Sequence, residues 1–213
     1  MHDRVTGPGE QPDGAELRTA PRVSLMLRAA KLVSPAGEYL CILRDVSATG
    51  LKAKLFHPLP PGEPIALELG NGARYLLEPV WEADGHVGFQ FHDGPIELSA
   101  LVDEAGLYPK RQLRLKLDLP IDLGVGDMAL VGQLRDLSLH GALVELDHFL
   151  ALRQLVKIGG GPFPVRHARV RWRKGNAHGL VFHEGFTLSE LALLVERLQK
   201  PPVINRIGQR VNH

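Results

Sequence analysis

The octapeptide Leu43-Arg44-Asp45-Val46-Ser47-Ala48-Thr49-Gly50 returns 91 residues later as Leu134-Arg135-Asp136-Leu137-Ser138-Leu139-His140-Gly141. The offset persists downstream, where Trp81 maps to Trp172, Gly88 to Gly179, Phe91 to Phe182 and His92 to His183. The two tryptophans of the chain are therefore one position seen twice. Such a period implies two homologous units, each with an Asp-x-Ser-x-x-Gly turn after a strand. The 213 residues then divide into two domains of about a hundred residues. Domains this small bury modest cores and gain by packing on each other.

Working outward from the first copy, Ser24–Val33 and Glu38–Val46 read as strands around the turn Pro35-Ala36-Gly37. Leu51–Phe56, Ile65–Leu69, Arg74–Trp81 and Val87–Phe91 follow, with Asp84-Gly85 as a hairpin signal. Pro95 opens an expected helix through Glu104. The second copy repeats this order with strands at Leu115–Leu123, Met128–Leu137, Ala142–Leu146, Gln154–Ile158, Val165–Arg173 and His178–Phe182. Thr187 with Glu190 forms a capping box before an amphipathic stripe of Leu188, Leu191, Leu194, Val195 and Leu198.

No helix separates successive strands, which argues against parallel βαβ units. The predicted fold is mainly β: two tandem six-stranded antiparallel barrels, each followed by a C-terminal helix. The expected divisions are a disordered tail at 1–16, domain one at 17–106, domain two at 107–200 and a C-terminal tail at 201–213. Net charge is +1, which argues against a broadly cationic nucleic-acid binder. The single cysteine, Cys41, cannot form an internal disulfide and reads as a small buried hydrophobe. The N-terminal stretch lacks the apolar region of a signal peptide, and no apolar run approaches the length of a membrane span. A soluble, cytoplasmic protein is expected.

Ahead of the first strand of each unit lies a basic segment: Arg18-Thr19-Ala20-Pro21-Arg22, then Lys110-Arg111-Gln112-Leu113-Arg114. The offset is 92 here, so Arg18 aligns with Lys110 and Arg22 with Arg114. A guanidinium offers a planar fork for phosphate or a purine edge and a face for stacking on a base. A carboxylate such as Asp45 accepts from the N1/N2 edge of guanine, and Ser47 adds a hydroxyl. Gly50 permits positive φ or close approach of a ligand. This set suits recognition of guanine and phosphate. It contains neither a nucleophile with an adjacent base nor a metal-ligand cluster, so no enzyme is expected.

Arg18-x-x-x-Arg22, Asp45-x-Ser47-x-x-Gly50 and the later Gly88-Phe89-Gln90-Phe91 resemble the PilZ domain, a family that binds the bacterial second messenger cyclic di-GMP. The resemblance covers about residues 17–105 and again 109–199. It implies a six-stranded barrel with a C-terminal helix, no catalytic activity, no cofactor beyond the regulatory ligand, and a signal passed to a protein partner. It also implies that Arg18 and Arg22 hold phosphate and guanine, while Asp45 and Ser47 hold a guanine edge, with Gly50 completing the ligand-binding motif. Leu17 precedes Arg18 at a position that in similar proteins influences whether one ligand molecule or a stacked pair is bound; lacking a third cationic fork, it slightly favours a single molecule.

The second copy keeps Arg114, Asp136, Ser138 and Gly141 but has Lys110 at the first arginine position, with Arg111 beside it. Lysine supplies a point charge without the fork or the stacking face. Domain two is therefore expected to be a weak site or a supporting module. The alternative for the whole chain is a nucleotide-independent interaction adaptor, since an Asp-x-Ser-x-x-Gly turn also satisfies its own backbone. Trp81 and Trp172 read as core or rim packing residues rather than stacking platforms, and His92 and His183 as lacking a neighbouring carboxylate pattern. Arg169, Arg171 and Arg173 alternate at strand period within a basic stretch, a solvated face or a contact for an anionic partner.

Overall fold

A computed structural model describes residues 23–102 and 112–200 of the chain. The first unit comprises β1 (Val23–Ser34), β2 (Gly37–Val46), β3 (Gly50–Lys54), β4 (Ile65–Glu68), β5 (Arg74–Ala83) and β6 (His86–Phe91). The second comprises β7 (Leu115–Val125), β8 (Met128–Leu137), β9 (Gly141–Glu145), β10 (Leu155–Gly160), β11 (Phe163–Lys174) and β12 (Ala177–Phe182). Each closes into a barrel, in the order β1-β2-β3-β6-β5-β4 and its equivalent β7-β8-β9-β12-β11-β10. All pairings are antiparallel. Closure leaves no edge strand to template aggregation.

Local chemistry sets these elements as the sequence predicts. Asp84 and Gly85 both have positive φ, the backbone that a two-residue hairpin between right-twisted strands requires. Barrel one fills its interior with Leu32, Leu43, Leu67, Val87 and Phe89; barrel two with Leu123, Leu134, Val144, Ile158 and Leu180. Cys41 is fully buried among apolar neighbours, and that burial pushes its thiol up to about 12, the behaviour of an inert core residue.

The two units share register as well as order. Val23 faces Val46 and Ser24 faces Asp45; Leu115 faces Leu137 and Lys116 faces Asp136. The ladders slip at matching points, after Ser24 and after Lys116.

The expectation of one helix per barrel is corrected. Barrel two is followed by a twelve-residue helix, Leu188–Gln199. Barrel one is followed, among the described residues, only by a single helical turn of five residues, Leu98–Val102. The caps explain the difference. Thr187 accepts from the Glu190 amide, and Glu190 reaches back to the Thr187 amide, satisfying two otherwise orphaned donors. The first turn is preceded by Glu97 with Ala100 three residues on, a pair that cannot close this box.

The C-terminal helix does more than cover its own barrel. The run Tyr39–Leu43 in β2 is buried at every position, although alternate side chains of a barrel strand point outward. Tyr39, Cys41 and Leu43 belong to the first core, whereas Leu40 joins the core of barrel two. Polar contacts reinforce this junction. The Glu38 carboxylate accepts from the Lys116 amide at 2.8 Å and from Lys31 Nζ at 2.9 Å. Lys31 also meets Glu68 at 2.8 Å. Burial pulls the Lys31 pKa down, but Glu68 and Glu38 outweigh it and hold the ammonium above its ordinary value.

Candidate functional site

The repeated turn is closed by the same serine amide to glycine carbonyl bond in both barrels. Ser47 donates its amide to the Gly50 carbonyl at 2.8 Å, and its hydroxyl oxygen accepts from the Gly50 amide at 3.2 Å. Ser138 donates its amide to the Gly141 carbonyl at 2.9 Å, with its hydroxyl 3.1 Å from the same oxygen. Both serines are buried. The serine thus closes the turn that its strand leads into, a structural duty common to both copies.

The glycine has a different reason from the two expected. Neither Gly50 nor Gly141 is among the positive-φ residues. A Cβ on Gly50 would lie 2.3 Å from the Phe89 carbonyl oxygen, and one on Gly141 would lie 2.2 Å from that of Leu180. The glycine lets β3 approach β6, and β9 approach β12, backbone to backbone.

Above the first turn lies a concavity of about 370 Å³. Asp45, Ser47, Gly50, Lys52, Trp81 and Gln90 line it. Asp45 is half-buried at the end of β2, and Lys52 is its cross-strand neighbour on β3. Trp81 is 43% exposed and lies across Gly88, where a Cβ would meet its Nε1 at 2.0 Å. Lys52 Nζ stands 5.9 Å from the indole centroid. Trp81 thus packs at the rim, with an exposed face on the wall of the concavity. The bare Gly88 opposite it in the ladder was the available signal. Arg18 and Arg22 lie outside the described residues.

Arg114 Nη1 donates to Asp136 Oδ1 at 2.7 Å. Both residues line a cleft of about 670 Å³ between the barrels, together with Gln112 and Lys116 from unit two and Lys31 and Glu68 from unit one. The Asp136 side of the second motif therefore faces the neighbouring barrel, which the sequence gave no means to foresee. Lys110 and Arg111 lie outside the described residues. Ser138 and Gly141 keep their turn, as above.

Two further expectations are refined. His92 has a carboxylate neighbour after all: Glu78 sits 2.5 Å from Nδ1, and this contact holds the imidazole above its usual pKa. The repeat partner His183 instead accepts from Arg169 Nε at 3.2 Å. The alternation of Arg169, Arg171 and Arg173 is interrupted by a register shift between Val170 and Trp172, although all three remain exposed. Among the described residues, no group of three or more His, Cys, Asp or Glu gathers as a metal site requires, and no helix is long and apolar enough to cross a membrane.

Residues 16–104 match the family model described as the PilZ domain. The match covers the first barrel, whose strand order the second barrel repeats. Among curated proteins none matches the sequence. Similar solved structures include the Borreliella burgdorferi PlzA protein in complex with c-di-GMP, at 13% identity over 88% of this chain and 96% of that one, with a TM-score of 0.36. The Bacillus subtilis inhibitor of motility is 11% identical over 81% and 95%, with a TM-score of 0.33. Escherichia coli YcgR in complex with c-di-GMP is 12% identical over 80% and 83%, with a TM-score of 0.31.

Proposed function

We propose that the chain is a cyclic di-GMP receptor whose first barrel binds the dinucleotide. One observation carries the assignment of residues. Arg114, the repeat partner of Arg22, is held 2.7 Å from Asp136, the partner of Asp45, and the strand registers around the two positions are the same. Arg22 immediately precedes Val23, which faces Val46 beside Asp45. By analogy Arg22 reaches Asp45 at the rim of the concavity, where Arg18 adds a second guanidinium. The two arginines then take phosphate and a guanine face, Asp45 takes the guanine N1/N2 edge, and Trp81 offers an apolar wall. Ser47 and Gly50 shape the turn that holds Asp45.

Charge-assisted hydrogen bonds contribute about 1.5–3 kcal/mol each. A few of them, less the cost of ordering the arginine segment, suit an affinity of about −8 kcal/mol, or roughly micromolar. Ordering of that segment would reposition the N-terminal tail and present the signal to a protein partner. Calorimetric titration with cyclic di-GMP tests the assignment. Wild type binds, Arg22→Ala and Asp45→Ala lose binding, and Lys110→Ala binds like wild type.

The larger cleft beside Arg114 and Asp136 supports a second reading, in which the ligand sits between the barrels. In that case Lys110→Ala and Arg114→Ala lose binding while Arg22→Ala keeps it. Absence of heat and of a thermal shift with wild type, at about 100 µM ligand, rejects both readings, since a site of roughly micromolar affinity would be saturated there. The nucleotide-independent adaptor would then stand.

A further inference from the structure

Four residues of barrel one stand in a single row across the sheet. Asp45 on β2 faces Lys52 on β3, Lys52 faces Gly88 on β6, and Gly88 faces Trp81 on β5. Lys52 thus occupies the rung beside the carboxylate and next but one to the indole. Its neighbours along β3, Leu51 and Ala53, belong to the core, so the alternation of the strand turns Lys52 outward onto the wall of the concavity.

The second barrel repeats this row with one change. Asp136 faces Leu143, Leu143 faces Gly179, and Gly179 faces Trp172. The other rungs hold the same residue types, and lysine alone gives way, to leucine. The row forms with leucine as well as with lysine, so the barrel does not need an ammonium at this rung. The residue facing the motif glycine changes in the same sense: Gln90 faces Gly50, whereas Val181 faces Gly141. The second copy carries Arg171 in place of Val80, at the register shift of β11 and outside the row.

Lys52 is half-buried, and an ammonium that loses part of its hydration gains from a counter-charge. Among the described residues no carboxylate lies within ion-pair distance of it, although Asp45 is its cross-strand neighbour. Its Nζ stands instead 5.9 Å from the Trp81 centroid, a cation–π distance that draws the ammonium toward the other wall of the concavity. A guanine dinucleotide is neutral in its bases and negative only at its phosphodiesters. A lysine ammonium is a compact point charge with three donors, suited to a phosphate oxygen. Asp45 and Trp81, on either side, suit a guanine, and the cation between them suits the phosphodiester that the guanine carries. We propose, on the reading of barrel one as the receptor site, that Lys52 is a further ligand-binding residue, donating to a phosphodiester oxygen of the cyclic dinucleotide in addition to the arginine pair.

Calorimetric titration of the full chain with cyclic di-GMP, at about 50 and about 500 mM salt, tests this. Lys52→Met weakens binding about tenfold or more, the size of one charge-assisted contact, and its affinity falls less with salt than that of wild type. Lys52→Arg keeps a cation with donors at the rung and stays within about threefold of wild type. Lys54→Met removes the same charge further along β3, over the Phe56 ring and away from the concavity, and binds like wild type. Should Lys52→Met lose its barrel circular dichroism, Lys52→Gln takes its place with the same expectation. Lys52→Met that binds like wild type, while Arg22→Ala loses binding, overturns the proposal and leaves the receptor reading standing. Equal losses in Lys52→Met and Lys54→Met overturn it as well, because they report a field rather than a contact. So does a weakened Lys52→Met that keeps the salt dependence of wild type. Wild type that takes up no cyclic di-GMP overturns the receptor reading and the role of Lys52 with it.

Discussion

The side-chain amide of Gln199 closes a ring with the backbone of Glu38, 161 residues away. Its Nε2 donates to the Glu38 carbonyl at 3.0 Å, and its Oε1 accepts from the Glu38 amide at 2.9 Å. The last residue of the C-terminal helix thereby continues the ladder of barrel one at the Gly37–Glu38 corner. Gly37 has φ of +140°, and a Cβ there would lie 2.0 Å from Gln199 Oε1. The corner has room for the amide only because residue 37 lacks a side chain.

Gln199→Ala removes both hydrogen bonds and leaves the buried Glu38 backbone groups without partners. A loss of about 1–3 kcal/mol is expected. Gly37→Ala adds backbone strain and clash and should cost at least as much. Urea unfolding, followed by far-ultraviolet circular dichroism, checks this. The variants unfold at lower midpoint, with the transition broadening as the barrels uncouple.

The Lys31 cluster predicts a pH dependence. Its folded pKa is raised above the unfolded value near 10.5, so its contribution is fully present below that pH and is lost as pH rises through the folded value. Wild-type stability should fall more steeply above pH 10.5 than that of Lys31→Met. Glu38→Ala leaves Lys31 with Glu68 alone and frees the Lys116 amide, a change expected to cost about 3 kcal/mol. Thermal melts across pH 8–11 measure both effects.

Because Gly50 and Gly141 serve the same close strand approach, Gly50→Ala and Gly141→Ala should destabilise alike, by about 2–3 kcal/mol. Ligand binding plays no part in this. Chemical denaturation of both variants without nucleotide is the measurement; a large cost at Gly50 alone would separate the two turns.

Trp81 reports on the first site. In a Trp172→Phe variant, Trp81 is the sole indole, and cyclic di-GMP should change its emission in proportion to occupancy. Trp81→Ala, assayed by calorimetry, should weaken binding about tenfold, a typical value for one aromatic wall. In the complementary Trp81→Phe variant, the emission of Trp172 should stay constant.

Much of the fold is written locally. Alternating apolar residues, Gly and Pro turns, Asp84-Gly85 and the Thr187–Glu190 box each act within a few residues of chain, so strands and the long helix could be read directly. The repeat supplied the division into two units. That the described residues after barrel one hold only the short turn Leu98–Val102 was also a local fact: Glu97 and Ala100 cannot cap as Thr187 and Glu190 do, and that comparison corrects the symmetrical expectation.

What the sequence determined alone is the duplication, the strand order within each copy, and the residue types of the motif, because periodicity and turn chemistry are short-range. Tertiary structure decided how those residues are employed. Closure of the barrel put Phe89 behind Gly50, so the glycine answers to a neighbouring strand. It laid Trp81 across Gly88 at the rim, where its other face walls the concavity. Packing of the C-terminal helix and β7 on β2 placed Glu38 between Lys31, Lys116 and Gln199, and set Asp136 toward the other barrel. These relations join residues from seven to more than a hundred positions apart, and no local pattern encodes which distant surface a side chain will meet.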